Sequence, residues 1–263
     1  MTEQSHVVLK EVVRRYDGPP AVHALGPIDL VIPRGEFLSV VGPSGCGKST
    51  LLDVVCGLAR PTSGSIKFEG RELHGEVPDG VGVVFQEDSS MPWLSVCQNV
   101  AFGLRTSGLP EKEVRERVNH AVSFMGLAQF ADHYPAQLSG GMRQRVCIAR
   151  TLVLRPRLIL LDEPFGALDQ QTRLLMGDEL LRLWRETGAT VLLITHALDE
   201  AAMLSDRVGV MSARPGCFID MVETRWSRDR DSRVVADPKF GTLTSRLWMS
   251  LREESLKTMG RAA

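Results

Sequence analysis

Apolar and polar positions alternate along the start of the chain, between residues 5 and 35. Val7 and Leu9 share one face of this alternation, and turn residues interrupt it at 17–20 and 33–35. Alternation with a period of two, bounded by glycine and proline, predicts antiparallel strands with one buried face. We therefore expect an antiparallel β flap at the start of the chain.

Other short runs are apolar at nearly every position, which is typical of parallel strands buried on both faces. The run at 37–41 ends at a glycine-rich turn, and the runs at 158–161 and 191–194 lie between segments of helical spacing. Further short strands are predicted at 65–68, 81–85 and 207–211. Together these runs predict the parallel core of an α/β fold.

Helical spacing of apolar residues dominates from about 88 to 150, and we interpret this stretch as a helical subdomain inserted into the core. Helices are predicted at 49–58, 96–104, 111–125, 141–154 and 239–254. The stretch 224–237 mixes charges and holds few apolar residues, so we interpret it as a solvated connection.

Composition excludes several classes of protein. The 263 residues carry a formal net charge of −1, which gives a nucleic-acid partner no electrostatic support. No apolar run approaches the ~18 residues that span a bilayer, so a membrane role would need a partner. The five cysteines are odd in number and lack a CxxC spacing, which disfavours a zinc site or a disulfide framework.

A phosphate-loop pattern, GxxxxGK followed by Ser or Thr, lies between a predicted strand and a predicted helix. Its candidate nucleotide contacts are Gly42, Pro43, Ser44, Gly45, Cys46, Gly47, Lys48, Ser49 and Thr50. The glycines let successive backbone N–H groups turn toward one anion, and the helix N-terminus adds a favourable partial charge. We expect Lys48 to reach the β- and γ-phosphates of ATP, and the Ser49 hydroxyl to hold Mg²⁺.

Four polar side chains follow predicted strands and carry the candidate chemistry. Asp162 ends the run LILLD and is expected to reach Mg²⁺. Glu163 is expected to orient or deprotonate the attacking water, which is help worth about 10²–10⁴-fold. His196 follows another buried run and is expected to contact the γ-phosphate, whereas a lone histidine there is normally exposed or satisfied. Gln86 is expected to touch both Mg²⁺ and the attacking water.

A second glycine-rich turn, LSGGMRQR at 138–145, leads into a predicted helix. Ser139, Gly140 and Gly141 would form an anion-binding nest there. Two half-sites for one nucleotide in one chain indicate an ATPase that works as a pair of subunits.

Two side chains near the phosphate loop carry further expectations. Tyr16 lies in the flap ahead of the loop, where it is expected to stack on adenine; the alternative is a plain strand aromatic. Cys46 lies near a helix N-terminus, which favours the reactive thiolate, so we expect sensitivity to alkylation and no catalytic role.

The order of these motifs resembles the ATP-binding subunit of an ABC transporter. The resemblance rests on Tyr16, the loop 42–50, Gln86, LSGGMRQR, LILLDEP at 158–164, the segment 167–169 and His196. It implies that Ser139, Gly140 and Gly141 contact the ATP held by a second subunit, and that Asp169 communicates between the two sites. Because every motif is intact, a homodimer is the simpler expectation. The fold implied is a P-loop NTPase (RecA-like) core.

A finer resemblance is to the nitrate, sulfonate and taurine importers, carried by MPWL at 91–94 and NVAFGL at 99–104. It implies a transmembrane permease that docks near Pro92 and Trp93, a periplasmic or extracellular solute-binding protein, and peripheral placement on the cytoplasmic face of the inner membrane. Trp93 has an alternative role as a core tryptophan of the helical arm. Departures from the group are Asp53, Cys56, Cys97 and Gln98.

The domain organisation expected is one ATPase domain at 1–237 and a C-terminal helix and tail at 238–263, without a separate regulatory domain. Three alternative functions stay open. They are the ATPase of an ABC exporter, a non-transport ABC-type ATPase acting on nucleic acid, and a P-loop enzyme of another class such as a kinase or GTPase. LSGGMRQR has no task in the last, and the long coiled-coil insertions of the second are missing.

Overall fold

The computed structural model describes residues 5–166 and 168–260, so Ala167 of the 167–169 motif lies outside the described residues, as do 1–4 and 261–263. The strands are β1 (Ser5–Tyr16), β2 (Val22–Pro33), β3 (Phe37–Val41), β4 (Ser63–Phe68), β5 (Arg71–Glu72), β6 (Val81–Val84), β7 (Leu158–Asp162), β8 (Thr190–Ile194), β9 (Arg207–Met211) and β10 (Phe218–Glu223). The helices are α1 (Lys48–Val55), α2 (Val96–Ala101), α3 (Glu111–Phe124), α4 (Gly140–Leu152), α5 (Gln170–Thr187), α6 (Leu198–Leu204) and α7 (Pro238–Gly260).

The central sheet has the strand order β10-β9-β3-β8-β7-β6. All its pairs are parallel except β9 with β10. Every residue of β3, β7 and β8 is buried, as the apolar runs predict. Since parallel strands end at the same edge of a sheet, the segments that follow β3, β6, β7 and β8 emerge side by side.

The second sheet is antiparallel, with the order β2-β1-β4-β5. Leu9 pairs with Leu30 on β2 and with Ile66 on β4, and these side chains are buried against α1. The alternation read from the sequence therefore folds as the expected flap. The prediction of a P-loop NTPase fold, with a parallel core and an antiparallel flap, is confirmed.

The chain between β6 and β7 is largely helical. Val100 of α2, Val122 of α3 and Val146 of α4 join one hydrophobic cluster, which continues under the central sheet. The predicted helix at 96–104 is shorter than expected, because α2 ends at Ala101 and a 3-10 turn follows. The division into domains stays a prediction.

The interpretation of 224–237 as a solvated connection holds for its eight exposed residues and is wrong for Arg230. The Arg230 side chain is buried, donates from Nε to the Leu204 carbonyl over 3.0 Å, and forms an ion pair of 2.9 Å with Asp206. Its guanidinium lies over the Trp184 ring. A guanidinium with five donors can be buried when carbonyls and a carboxylate surround it. The charge of Arg230 therefore does not require it to face solvent.

No helix in the described ranges is long and apolar enough to cross a membrane.

Candidate nucleotide site

The phosphate loop connects the central strand β3 to α1. Gly47, at the N-cap of α1, has φ 114°, and a Cβ there would lie 2.7 Å from the Ala24 carbonyl oxygen. Only glycine fits this close approach, and no side chain caps the first N–H groups of α1. These groups are therefore left for an anion.

Lys48 folds over the phosphate loop instead of extending into solvent. Its buried Nζ donates to the carbonyls of Gly42 at 2.9 Å and Pro43 at 3.1 Å. Along the rest of the loop, Ser44, Gly45 and Ser49 are exposed, Gly47 and Thr50 are half-buried, and Gly42, Pro43 and Cys46 are buried. The loop thus presents a cation and backbone N–H groups around one anion-sized position.

Three predicted catalytic side chains meet at a single oxygen. The Gln86 amide donates to Glu163 Oε2 over 3.1 Å, and His196 Nδ1 lies 3.1 Å from the same oxygen. The Glu163 backbone has φ 46°, a left-handed conformation that costs a non-glycine residue roughly 1–2 kcal/mol. The Glu163 N–H donates to the Ile194 carbonyl over 2.8 Å, which anchors this strained turn to β8.

Asp162 is suited to a cation. Its Oδ1 is buried and accepts no hydrogen bond from any described residue, a state that costs about 1–3 kcal/mol. Burial raises the pKa of the Asp162 carboxyl, the neighbouring Glu163 charge adds to this, and the Ser49 hydroxyl and Lys48 oppose it. An orphaned carboxylate oxygen beside a hydroxyl fits Mg²⁺.

Among the described residues, no cluster of three His, Cys, Asp or Glu could hold a metal by itself. A magnesium ion at Asp162 would accordingly take most of its ligands from phosphate oxygens and water, as is usual for this cation.

Cys46 contradicts the expectation of a reactive thiolate. The side chain is buried, and a Cβ placed on Gly42 would lie 2.8 Å from its sulfur. Burial raises the pKa of the thiol, and the nearby positive charge of Lys48 only partly opposes this. The sequence pattern locates Cys46 near the helix N-terminus but does not show that its sulfur points into the core.

The LSGG segment is displayed to solvent. Ser139 is the N-cap of α4, and its hydroxyl accepts from the Met142 N–H over 3.3 Å. Ser139 and Gly140 are exposed, and no hydrogen bond or ion pair of the described residues joins this segment to the phosphate loop.

Helix α4 is hydrogen-bonded to the segment that follows Gln86. Arg143 Nε donates to Asp88 Oδ2 over 2.5 Å, and Arg150 donates to the Ser89 carbonyl over 2.8 Å. Movement of the Gln86 segment would therefore carry α4 with it. No sequence motif marks Asp88 or Ser89.

Arg214 is a further residue that the sequence pattern misses. From the turn after β9, its Nε and one terminal nitrogen donate to the Gly45 carbonyl over 3.1 and 2.9 Å. These two hydrogen bonds to one carbonyl hold the phosphate loop in place at Gly45. The position lies far outside the loop in sequence, so only the parallel pairing of β9 with β3 brings it near.

Tyr16 and Asp169 have local partners. The Arg14 guanidinium lies 4.4 Å from the centroid of the Tyr16 ring, so one ring face is covered and stacking on adenine would use the other. Asp169 is the exposed N-cap of α5 and accepts from the Thr172 N–H over 2.9 Å. Adenine stacking and communication between sites stay predictions.

The Pro92–Trp93 turn is rigid and exposed. The buried Asn99 amide donates to the Met91 and Leu94 carbonyls, and its oxygen accepts from the Met91 N–H over 2.8 Å. Trp93 is 71% exposed, so its alternative role as a core tryptophan is excluded.

A cleft of about 1130 Å³ lies elsewhere, between α3, the end of α4 and the end of α5. Its walls include Phe124, Leu183 and Arg157, and none of the predicted site residues. It opens where β7 and β8 begin, whereas the candidate nucleotide site lies where those strands end.

Comparison with known proteins agrees with this geometry. A sequence model of the ABC transporter family matches residues 25–166. The taurine import ATP-binding protein of Jannaschia sp. is 40% identical over 261 residues, covering 97% of this chain and 97% of that protein. The nitrate import ATP-binding protein of Synechococcus elongatus is 43% identical over 224 residues, covering 84% of this chain and 81% of that protein.

A solved structure shows the same fold. An ATP-binding cassette in a dimeric post-hydrolysis state with ADP and phosphate matches at a TM-score of 0.76 and 33% identity. The match covers 84% of this chain and 100% of that one. Fold and site together define the class, an ATP-hydrolysing cassette of the P-loop type. Within that class the chain belongs to the ABC transporter family, as an ATP-binding subunit.

We predict that Cys46 resists alkylation in the folded protein. Iodoacetamide labelling followed by mass spectrometry should modify the half-buried Cys97 and Cys217 well before Cys46, because the reagent cannot reach the buried Cys46 sulfur. Denatured protein, in which all five cysteines should react alike, is the control. Labelling of Cys46 ahead of Cys97 in folded protein would contradict the buried placement.

Proposed function

We propose that two copies of the chain close on two molecules of Mg²⁺-ATP and that Glu163 activates the water that hydrolyses each one. The observation that supports this most directly is the meeting of Gln86 and His196 at Glu163 Oε2, at the strand edge that carries the phosphate loop. The closing movement would drive a membrane permease, and hydrolysis would reset it.

Each side chain has a task in this proposal. Lys48 and the N–H groups at the start of α1 balance the charge of the phosphates. The Glu163 carboxylate takes a proton from water as the water oxygen bonds to the γ-phosphorus and the bond to ADP breaks. Gln86 and His196 hold the carboxylate in place. Ser49, Gln86 and Asp162 would hold Mg²⁺, which neutralises negative charge on the phosphate oxygens.

We predict that Glu163→Gln binds ATP but hydrolyses it about 10²–10⁴-fold more slowly, because an amide cannot accept the proton. Steady-state phosphate release and ATP binding to the purified full chain measure the two effects. Glu186→Gln, on the exposed end of α5, is the matched control and should keep normal turnover. Near-normal turnover of Glu163→Gln would remove Glu163 from the role of base.

Pairing of two subunits is the second part of the proposal. Ser139 and Gly140 are exposed at the start of α4, and no hydrogen bond among the described residues joins them to the phosphate loop of their own chain. A partner subunit would bring them to the γ-phosphate, where the α4 N-terminus is favourable for an anion. A homodimer is the simplest assembly, because this chain carries both half-sites.

We predict that Ser139→Arg preserves nucleotide binding by the monomer and abolishes hydrolysis, since the bulky cation would block closure across the dimer. Binding of a fluorescent ATP analogue and phosphate release test the two halves. Ser123→Arg, at an exposed serine of α3, is the control and should hydrolyse normally. Unchanged hydrolysis by a Ser139→Arg dimer would contradict the cross-subunit site.

The transported solute belongs to the class of small anions and zwitterions. Among the relatives that cover most of this chain are proteins named as import subunits for taurine and for nitrate. We therefore propose import through a permease supplied by an external solute-binding protein, with this subunit bound peripherally on the cytoplasmic face of the membrane. Its net charge of −1 gives no support to a nucleic-acid partner.

The turn at Pro92 and Trp93 is proposed as the permease contact. A rigid, exposed tryptophan supplies a large contact area without a large loss of conformational entropy on binding. Asn99 holds this turn, and the turn follows Gln86 directly along the chain, so nucleotide-dependent movement at Gln86 would reach it.

We predict that Trp93→Ala weakens co-purification with the permease by more than it changes basal ATP hydrolysis, because the side chain is 71% exposed and is not among the groups that meet at Glu163. Pull-down of the membrane complex and ATPase rate are measured in parallel. Trp248→Ala, at a half-exposed tryptophan of α7, is the control. Loss of ATPase rate with intact co-purification would contradict the docking role.

A further inference from the structure

Glu200 of α6 holds the turn that carries His196. Its Oε2 accepts from the Thr195 hydroxyl over 2.6 Å, and Thr195 Oγ1 accepts from the Ala197 N–H over 3.0 Å. These two bonds bracket His196 on both sides. The position of the His196 ring beside Glu163 therefore depends on a carboxylate that no sequence motif singled out.

The second carboxylate oxygen of Glu200 has no hydrogen bond to any described residue, although it is buried. The buried Nε of Arg173, on the first turn of α5, is likewise without a hydrogen bond to any described residue. One terminal nitrogen of Arg173 donates to the Leu168 carbonyl over 3.1 Å, next to Asp169. A donor and an acceptor of opposite charge are thus both left unsatisfied.

The two groups already interact through their charges. Burial raises the pKa of Glu200 to about 7, and the Thr195 hydrogen bond and the charges of Arg173 and His196 oppose this rise, while Glu163 adds to it. Because the pKa of Glu200 is higher in the folded protein than in the unfolded chain, the folded protein loses stability as the pH rises from 4.5 through about 7. Ionised Glu200 therefore lacks a sufficient counter-charge in this arrangement.

We propose that Arg173 and Glu200 form a hydrogen-bonded ion pair when two ATP-bound subunits close, and that this pair sets the Leu168–Asp169 segment and the His196 turn together. Asp169 is exposed at the start of α5. A partner subunit that contacts Asp169 would move the neighbouring Arg173 toward Glu200. Glu200 is then a positioning residue for His196. The inference rests on the hydrolysis at Glu163 proposed above.

The test is a double-mutant cycle on the full chain with Arg173→Gln, Glu200→Gln and the double variant. Each single variant should lower kcat about tenfold with KM for Mg²⁺-ATP nearly unchanged, and the double variant should be no slower than either single one. The control cycle uses Arg115→Gln and Glu111→Gln, an exposed pair on α3, and should leave kcat unchanged.

A pH profile supplies a readout that a merely structural role would not move. Wild-type kcat/KM should rise as the pH passes through about 7, because only ionised Glu200 can pair with Arg173, and Glu200→Gln should lack this limb. Gln keeps the acceptor for Thr195, so the variant should fold. Thermal unfolding measures whether Glu200→Gln is folded. If Glu200→Gln is unfolded, Arg173→Lys is measured in its place.

Additive losses of kcat, with the double variant about a hundredfold slower than wild type, would contradict the proposed ion pair. Normal kcat in the single variants would contradict it too, and so would a pH limb that persists in Glu200→Gln. Glu163→Gln measured beside them separates the two proposals. Normal turnover of Glu163→Gln would defeat the catalytic centre itself, whereas additive losses with an inactive Glu163→Gln would defeat only the ion pair.

Discussion

Parallel pairing in the central sheet is the constraint on which the site depends. Because β3 pairs in parallel with both β8 and β9, and β7 with β6 and β8, their carboxyl ends share one edge. The phosphate loop, Gln86, Glu163 and His196 each follow one of these strands. Lys48 and His196, which are 148 residues apart along the chain, thus lie at one edge without any need for local sequence proximity, and buried apolar strands hold that edge in place.

Electrostatics at this edge is shaped as much by burial as by charge. Asp162 and Glu200 are carboxyls whose pKa values rise because they are buried, and each has one oxygen without a hydrogen bond from the described residues. Such arrangements are costly in a folded protein and are concentrated at functional positions. The unpaired oxygen of Asp162 would suit a metal ion, and that of Glu200 is the one that we propose to pair with Arg173.

Much of the fold and of the candidate site could be predicted from residue patterns. Short apolar runs identified β3, β7 and β8, and alternation identified the flap, since burial on two faces or on one dictates those patterns. The phosphate loop and the residues that follow strands could be found because their chemistry needs fixed neighbours. Strand β10 was not predicted, because Asp220 interrupts its apolar pattern and its pairing with β9 is long-range.

The sequence by itself determined which chemical groups are available, namely the glycines and Lys48 of the phosphate loop, the acidic strand end and the exposed LSGG turn. Tertiary structure alone decided where they point. It buried the Cys46 sulfur, which a helix N-terminus would otherwise have activated, buried Arg230 among carbonyls, and brought Arg214 onto the Gly45 carbonyl. The reason is that burial and long-range contacts depend on packing between elements, which no local pattern of residues records.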